Sequence, residues 1–264
     1  MFFLRKPIIG MIHLKPLPGA PGYGGSLQEI VDAALADARA LDEGGIDAMM
    51  LENYGDVPFR KEKVEPHTIA AMAMIAAEIG RVTARPLGIN VLRNDPIAAL
   101  GIAAVCGAAM IRVNVHTGAM LTDQGVIEGN ASATLGYRMK LGAGSVKIMA
   151  DVHVKHAAPL APIPIETAAA DAVERGLADA LIVTGSRTGA GCDIDELVRV
   201  RAAVDAPVLV GSGVTDETIA PLLRACDGVI VGSWLKRDGD VRNEVEVGRV
   251  RRMMGLAMHG REEG

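Results

Sequence analysis

Two short segments near the end of the chain share a composition that could bind an anion. Val208–Ser212 and Gly228–Ser233 each contain a run of apolar residues that ends in Gly-Ser, and we call these ends the Gly-Ser corners. Glycine lets a backbone approach an anion closely, and consecutive N–H groups in such a turn can surround a phosphate. We therefore predict a phosphate site whose residues are Gly211, Ser212, Gly213, Gly232 and Ser233.

The same corners also have an interpretation without a ligand. They could be ordinary turns, in which the hydroxyls of Thr215 and Ser233 cap the helices that follow. The phosphate hypothesis is favoured because the two corners match and follow two consecutive strand-like runs. In that hypothesis, Lys236 is a candidate charge partner for the phosphate.

Ionisable and amide side chains stand at the ends of other strand-like runs. Because side chains alternate along a strand, Asp151 and His153 face the same side. Carboxylates near histidines suggest general acid–base catalysis. A divalent metal held by some of His13, Glu52, Asp151 and His153 is a second possibility, although no short ligand motif requires it. A third possibility is that these polar side chains form hydrogen bonds that orient loops. The candidate catalytic residues are His13, Glu52, Asn114, Asp151 and His153.

Lysine chemistry is a further alternative. A Schiff-base aldolase would need a lysine held inside the protein, where desolvation lowers its pKa. Lys147 lies at the start of one strand-like run and Lys155 lies just beyond its end, so only Lys155 is near the predicted site. We favour the simpler interpretation of Lys155 as a solvated loop residue that pairs with phosphate or a carboxylate.

Two glycine-containing segments could form mobile parts of the site. Thr117–Gly125 is typical of a lid with glycine hinges, or of a plain surface loop. Thr184–Gly189 could offer N–H donors to a second anion, or could be a flexible turn.

The elements that position these residues follow from an alternation along the whole chain. Short strand-like runs alternate with Ala-rich helical stretches, which predicts a (β/α)8 TIM barrel in the α/β class, formed as one domain over residues 1–264. The Gly-Ser corners would then follow the seventh and eighth strands, where barrels often bind phosphate. The eight predicted strands are Pro7–His13, Asp47–Asn53, Pro86–Leu92, Ala109–His116, Val146–His153, Asp179–Thr184, Pro207–Gly211 and Gly228–Gly232.

The even-numbered runs begin with similar phrases, and this weak repeat supports a closed barrel over an open sheet. The phrases are Gly45–Ala48, Gly107–Met110, Leu177–Ala180 and Ala225–Gly228. Apolar residues at helical spacing predict intervening helices. The clearest of them are Leu27–Glu43, Pro66–Ala84, Asp195–Val204 and Asn243–Met254.

Composition narrows the classes of partner. The chain has 264 residues, half of them hydrophobic, and this is enough for one large core. Its 27 basic and 32 acidic residues give a charge of −5, and no basic stripe indicates nucleic-acid binding. Three scattered cysteines do not make a disulfide framework, and no apolar stretch reaches the roughly 20 residues of a transmembrane helix, so we expect a cytoplasmic protein. Apolar outer helix faces would also allow a homo-oligomer.

Several longer segments together resemble the BtpA family, also called the BtpA/SgcQ family. They are Gly10–Gly19, Glu52–Phe59, Gly88–Asp95, Arg112–Val115, Thr122–Gly125, Ala150–Ala157 and the two Gly-Ser corners. The resemblance covers nearly the whole chain, and it implies a barrel of the ribulose-phosphate-binding type. The family name is tied to photosystem I biogenesis in cyanobacterial thylakoids, while other members are labelled as nucleosidases or sugar-operon proteins. The resemblance implies no catalytic residues.

Two hypotheses of function follow. The first is an enzyme that acts on a phosphorylated sugar or a nucleoside-like metabolite, as an isomerase, a lyase or a glycosidic-bond hydrolase. The second is a non-catalytic biogenesis or stability factor for a membrane complex such as photosystem I. A barrel fold is compatible with both.

Overall fold

Eight parallel strands close into a barrel in the computed structural model, which describes residues 6–185 and 191–262. They are β1 (Ile8–His13), β2 (Ala48–Glu52), β3 (Leu87–Asn90), β4 (Met110–Val113), β7 (Lys147–Val152), β9 (Ala180–Val183), β10 (Val208–Val210) and β11 (Val229–Val231). Neighbouring strands pair in chain order, and β1 pairs with β11 to complete the ring. The predicted TIM barrel is therefore confirmed.

Each predicted run contains one barrel strand and extends beyond it by up to three residues. The largest excess follows β4, where residues 114–116 leave the ladder although their composition continues the strand pattern. These extra residues lie at the carboxyl end of the barrel and are available for the site.

Helices cover the outside of the barrel. In the described ranges they are α1 (Leu27–Glu43), α2 (Pro66–Val82), α3 (Pro96–Cys106), α4 (Ala131–Lys140), α5 (Ile165–Ala170), α6 (Ile194–Ala203), α7 (Ile219–Ala225) and α8 (Val247–Glu262). Ser26, Asp95 and Asn130 accept backbone N–H groups at the starts of α1, α3 and α4, as N-cap residues do. None of the described helices is both long and apolar enough to cross a bilayer.

The last helix begins four residues later than predicted. Residues 243–246 instead run back along the segment that follows β11: the Arg237 N–H donates to the Glu244 carbonyl at 2.9 Å, and the Glu246 N–H donates to the Leu235 carbonyl at 2.9 Å. Apolar spacing alone does not reveal this pairing, because the same residues also fit a helical pattern.

The barrel interior is filled by one alternate set of strand residues. Ile9, Met11, Met50 and Met110 belong to this buried lumen cluster, together with Ala48, Met149, Ala180, Ile182, Leu209 and Ile230. Gly88 leaves room for the methionines, since a Cβ there would lie 2.6 Å from the Met50 side chain. With a period of two, the next inward position on each strand lies at the open end of the barrel.

A small antiparallel sheet lies beside the barrel strands. It contains β5 (Ala119–Thr122), β6 (Gly125–Glu128) and β8 (Ala157–Pro159), in the order β6-β5-β8. From sequence we expect a lid or loop in Thr117–Gly125, but this segment forms a hairpin in which Gly125 has φ +93°. The segment is therefore tied by a sheet ladder to the residues after β7.

Three aspartates fasten strands at the amino end of the barrel and explain the repeated phrases. Asp47, Asp179 and Asp227 each accept a backbone N–H from the preceding barrel strand. The donors are Ile8 at 2.8 Å, Ile148 at 2.9 Å and Val208 at 2.8 Å. Each carboxylate also contacts an arginine. In the remaining phrase, Gly107–Met110, the equivalent residue is Ala109. In the other three phrases the repeated aspartate has a structural role, because it fastens one strand to the next.

Asp179→Asn should lower the free energy of unfolding by about 1–3 kcal/mol at neutral pH, because charge-assisted hydrogen bonds become neutral ones. Burial raises the pKa of Asp179. Hydrogen bonds from the Ile148 N–H, Lys147 and Arg138 lower this pKa by more than burial raises it, so the net pKa is below 3.8. The stabilisation is present above the ordinary pKa and is lost as pH falls through the lowered one. Urea unfolding of both proteins at decreasing pH measures this.

The control for this prediction is Asp205→Asn, which changes an exposed carboxylate in the turn before β10. It should change the free energy of unfolding by less than about 0.5 kcal/mol. A stability difference between Asp179→Asn and wild type that did not shrink in acid would contradict the assigned role of the carboxylate.

Candidate functional site

The inward positions at the carboxyl end of the barrel form a polar layer above the apolar lumen. We call it the mouth layer, and its members are His13, Glu52, Asn90, Arg112, Asp151, Thr184, Gly211 and Gly232. Strand pairing aligns His13 with Glu52, Glu52 with Asn90, and Asn90 with Arg112. Strand alternation therefore places chemically active side chains from separate parts of the sequence around one opening.

A cavity of about 160 Å³ opens at this layer, and we call it the mouth cavity. Both Gly-Ser corners line it, with all five residues of the predicted phosphate site. His13, Glu52, Arg112 and Lys155 line the same cavity. The structure thus brings two of the five predicted catalytic residues to the predicted phosphate site.

The shape of the corners depends on glycine at each position. Gly213 has φ +71°, in the left-handed region that favours glycine. A Cβ on Gly211 would lie 2.5 Å from the Ile182 side chain, and a Cβ on Gly232 would lie 3.0 Å from the His13 ring. The backbone at both corners is therefore packed closely against the mouth layer.

Several backbone N–H groups of the corners are available to a ligand. Within residues 6–185 and 191–262, the amides of Gly213, Ser233 and Trp234 donate to no backbone carbonyl. The Ser212 hydroxyl instead accepts the Gly185 N–H at 2.8 Å and joins the ends of β9 and β10. Unpaired amides that converge at a cavity are the donors that a phosphate requires.

Capping accounts for one part of the first corner's surroundings and not for the corners themselves. Thr215 Oγ1 accepts the Thr218 N–H at 3.3 Å, just before α7. The N-cap of the short 3-10 turn Ser233–Leu235 is Gly232 and not Ser233. The capping alternative therefore uses a hydroxyl beside the first corner and leaves the corner amides unexplained.

Lys236 does not face the corners, in contrast to the prediction that it neutralises the phosphate. Its side chain is fully buried and forms an ion pair with Asp37 of α1. Asp37 also accepts the Val245 N–H at 2.7 Å. Because a buried ammonium needs a counter-charge, the pair fixes the segment after β11 against α1.

His13 and Glu52 form a buried acid–base pair. His13 Nε2 lies 3.7 Å from Glu52 Oε1, and both side chains are more than nine-tenths buried. Burial lowers the pKa of His13 well below 6.5, and the charges of Lys236, Lys155 and Arg112 add to this effect. Burial raises the pKa of Glu52. The pair can hold a neutral imidazole beside a carboxyl group that retains its proton at a higher pH than usual.

Asp151 and Asn114 hold Arg112 rather than facing the cavity as a free acid and amide. Asp151 accepts Arg112 Nε at 2.9 Å and Arg112 Nη2 at 3.0 Å. The Asn114 amide donates to the same carboxylate at 2.9 Å, and Asn90 donates to Asn114 at 3.1 Å. The strand alternation predicts that Arg112 faces the same side as Asn114, but the predicted catalytic residues include Asp151 and Asn114 and not Arg112.

His153 lies apart from His13 and Glu52, although it shares a second cavity with two other predicted catalytic residues, Asn114 and Asp151. Its backbone has φ +48°, and its side chain lines a separate cavity of about 60 Å³ that Met120 and Ile163 also line. Continuing the strand pattern to residue 153 predicts a shared face with Asp151, but the left-handed turn ends that pattern. Among the described residues, no three histidine, cysteine or carboxylate side chains are arranged to hold a metal ion, so the metal alternative gains no support.

Lys155 lies on the loop after β7, but it lines the mouth cavity and is only partly exposed. The interpretation of Lys155 as a solvated residue is therefore corrected. The Lys155 N–H donates to Thr184 Oγ1 at 3.0 Å, and its carbonyl accepts Arg93 Nη2 at 2.8 Å. Burial lowers the pKa of Lys155, and Arg112 lowers it further. The predicted second anion site, Thr184–Gly189, lies outside the described residues from Ser186 onward.

Comparisons with known proteins agree with this architecture. A model of the BtpA family matches residues 4–259. An uncharacterised protein of Methanocaldococcus jannaschii is 48% identical over 255 residues, which are 97% of this chain and 96% of that protein. The photosystem I biogenesis protein BtpA of Synechocystis is 45% identical over 250 residues, 94% of this chain and 87% of that protein. SgcQ of Escherichia coli is 36% identical over 258 residues, 97% and 95% of the two chains.

Solved structures with similar folds are barrel enzymes. Thiamine phosphate pyrophosphorylase from Pyrococcus furiosus aligns with a TM-score of 0.62 at 14% identity, covering 98% of this chain and 99% of its own. N-(5'-phosphoribosyl)anthranilate isomerase from the same organism aligns with a TM-score of 0.58 at 14% identity, covering 96% and 98%. At these identities the likeness shows the fold.

Glu52→Gln should raise the melting temperature at neutral and alkaline pH. Since burial raises the pKa of Glu52 above 4.5, the ionised carboxylate destabilises the folded state above the ordinary pKa. Glutamine keeps the shape without the charge, and we expect a rise of about 2–4 °C, which is equivalent to about 1 kcal/mol for a chain of this size. Calorimetry at increasing pH measures it, with the exposed Glu43→Gln as control. An unchanged melting temperature at alkaline pH would contradict this account.

Asp151→Asn should destabilise the protein strongly. The substitution leaves the buried Arg112 guanidinium without its counter-charge, and removing one partner of such a pair costs about 3–5 kcal/mol. Urea unfolding at neutral pH measures the loss. Asp171→Asn, which changes a half-exposed carboxylate, should cost less than about 0.5 kcal/mol. Equal stability of Asp151→Asn and wild type would show that Arg112 does not depend on Asp151.

Proposed function

The chain belongs to the BtpA family, and from this premise we propose that it is an enzyme acting on a phosphorylated small molecule. The phosphate binds between the two Gly-Ser corners, and His13 and Glu52 transfer protons at the reacting end of the molecule. The observation that carries the proposal is the placement of both corners and this acid–base pair around one cavity.

Each part of the cavity has a separate role in this proposal. The N–H groups of Gly213 and Ser233 donate to the phosphate, as backbone amides do in anion-binding turns. Arg112, held by Asp151, adds a fixed positive charge beside the first corner. A guanidinium oriented in advance supports anion binding without a loss of side-chain entropy on association.

The acid–base pair supplies the chemistry. Neutral His13 accepts a proton from the ligand or from a water molecule, and protonated Glu52 donates one. The unpaired His13 Nδ1, which has no hydrogen-bond partner among the described residues, lets the ring change its protonation without breaking a bond to the protein. Such transfers fit an isomerase, a lyase or a glycosidic-bond hydrolase that acts on a sugar phosphate or a nucleoside-like metabolite.

A fold-level observation supports phosphate as the bound group. Two enzymes with similar barrels have phosphate compounds in their names, thiamine phosphate pyrophosphorylase and phosphoribosyl anthranilate isomerase. Barrels commonly bind phosphate with the loops after the last two strands, which here are the loops after β10 and β11.

The second candidate function is a non-catalytic biogenesis factor for a membrane complex. The name of the Synechocystis relative favours it. Leu121, Leu160 and Ile163, on and near the small sheet, are also exposed apolar side chains of the kind found at interaction surfaces. Polar substitutions at these three residues would abolish the biological role if the protein acts as such a factor, while substitutions at the corners would not.

Gly213→Asp should abolish stabilisation by phosphorylated ligands. The new carboxylate places a negative charge in the corner and would repel the phosphate. In a thermal-shift screen of phosphorylated metabolites, a ligand at a hundredfold excess over its Kd should stabilise the wild type by about 2.7 kcal/mol. The same ligand should leave the melting temperature of Gly213→Asp unchanged.

Gly142→Asp is a matched control, because Gly142 also has positive φ, at +64°, but lies exposed after α4 at the other end of the barrel. This variant should retain the ligand response of the wild type. Equal ligand responses in Gly213→Asp and wild type would exclude the corners as the phosphate site.

A further inference from the structure

Lys147, Lys155 and Lys236 differ in whether the amine of the side chain has a partner. Lys236 is buried and paired with Asp37, and Lys147 is half-exposed and paired with Asp179 at 3.0 Å. Lys155 lines the mouth cavity, yet its Nζ has no hydrogen-bond or ion-pair partner within the described ranges. Paired lysines have a structural role, and Lys155 has none that involves its amine.

The backbone of Lys155 is nevertheless held on both sides. Thr184 Oγ1 accepts its N–H, and Arg93 donates to its carbonyl. Arg93 is itself 5% exposed, so this anchor is part of the packed protein. The anchors fix the start of the side chain at the cavity wall while leaving the amine unengaged.

The surroundings of the amine favour its neutral form. Burial disfavours the ammonium ion, and the neighbouring charges of Arg112 and Arg93 disfavour it further, although Glu52 and Asp151 act in the opposite direction. A neutral amine in a cavity is a nucleophile, whereas an ammonium ion is not.

We propose that Lys155 forms an imine with the carbonyl carbon of a phosphorylated aldehyde or ketone whose phosphate binds at the Gly-Ser corners. The inference rests on the proposed phosphate site and narrows its ligand to a carbonyl compound. The corners and Lys155 line the same cavity, so a short sugar phosphate can reach both.

The step balances with groups that line the cavity. The Nζ lone pair forms a bond to the carbonyl carbon, and the π electrons of the carbonyl move to its oxygen, which takes a proton from the Glu52 carboxyl group. The nitrogen then loses a proton, for which the Glu52 carboxylate or His13 is the acceptor. The group that accepted this proton then donates it to the hydroxyl oxygen. The nitrogen lone pair forms the C=N bond as the C–O bond breaks, water leaves, and an iminium ion remains.

Reductive trapping tests the proposal. The full chain is incubated with dihydroxyacetone phosphate and sodium cyanoborohydride, which reduces the iminium ion to a stable secondary amine, and peptides are mapped by mass spectrometry. Lys155 should be labelled more than about tenfold faster than Lys147, because a phosphate held at the corners keeps the carbonyl beside Lys155 and raises its effective concentration there. Inorganic phosphate should slow the labelling, and unphosphorylated dihydroxyacetone should label Lys155 more slowly.

Two variants control for folding and background reaction. Lys155→Arg keeps a long side chain that ends in nitrogen but cannot form the imine, so the adduct should disappear while phosphate still raises the melting temperature. Lys147→Arg should leave labelling of Lys155 unchanged.

The outcomes separate this inference from the proposed function. Equal labelling of Lys155 and Lys147, with stabilisation by phosphate intact, would overturn the imine and leave the phosphate site standing. If phosphate neither stabilises the protein nor slows labelling, both the imine site and the proposed function fail.

Discussion

A buried ion pair between Arg112 and Asp151 determines how the mouth of the barrel can be built. Both side chains are nearly inaccessible to solvent, with exposed fractions of 3% and 0%. A guanidinium in such a place destabilises a protein by several kcal/mol unless a counter-charge and further hydrogen bonds compensate for its lost hydration. Asp151 and the amides beside it supply that compensation. The positive charge that results is fixed next to the first Gly-Ser corner, and it lowers the pKa of His13 while opposing the effect of burial at Glu52.

The mouth layer contrasts with the lumen beneath it, although both lie on the same faces of the same strands. The lumen contains methionine, alanine and branched apolar residues that need no partners. At the next inward position of each strand, the side chain is ionisable or polar, or the residue is glycine. Two buried polar atoms there, His13 Nδ1 and Asn90 Oδ1, have no partner among the described residues. Unpaired buried polar atoms lower stability, and proteins tolerate them chiefly at functional sites.

Family membership and geometry contribute different parts of the functional argument. Relatives in an archaeon and in Synechocystis have similar identity to this chain, 48% and 45%, so the name of either relative alone does not select a function. The geometry adds an arrangement of groups around one cavity: the two Gly-Ser corners of the proposed phosphate site, the His13–Glu52 pair and the Lys155 amine. A ligand that uses all three would carry a phosphate and a carbonyl group, which is a narrower class than the fold or the family indicates.

The barrel, the positions of all eight strands and the two Gly-Ser corners were predictable from the amino-acid sequence. They depend on the local spacing of apolar residues and on the placement of glycine, and both can be read from residues that are close together in the chain. The sequence also placed His13 and Glu52 at strand ends. The contacts between polar residues follow only from the three-dimensional packing. Asp151 holds Arg112, Lys236 pairs with Asp37, Lys155 lines the mouth cavity, and His153 lies apart from His13 and Glu52. These outcomes depend on pairing between charges 39 to 199 residues apart and on one left-handed turn, and local patterns carry no information on either.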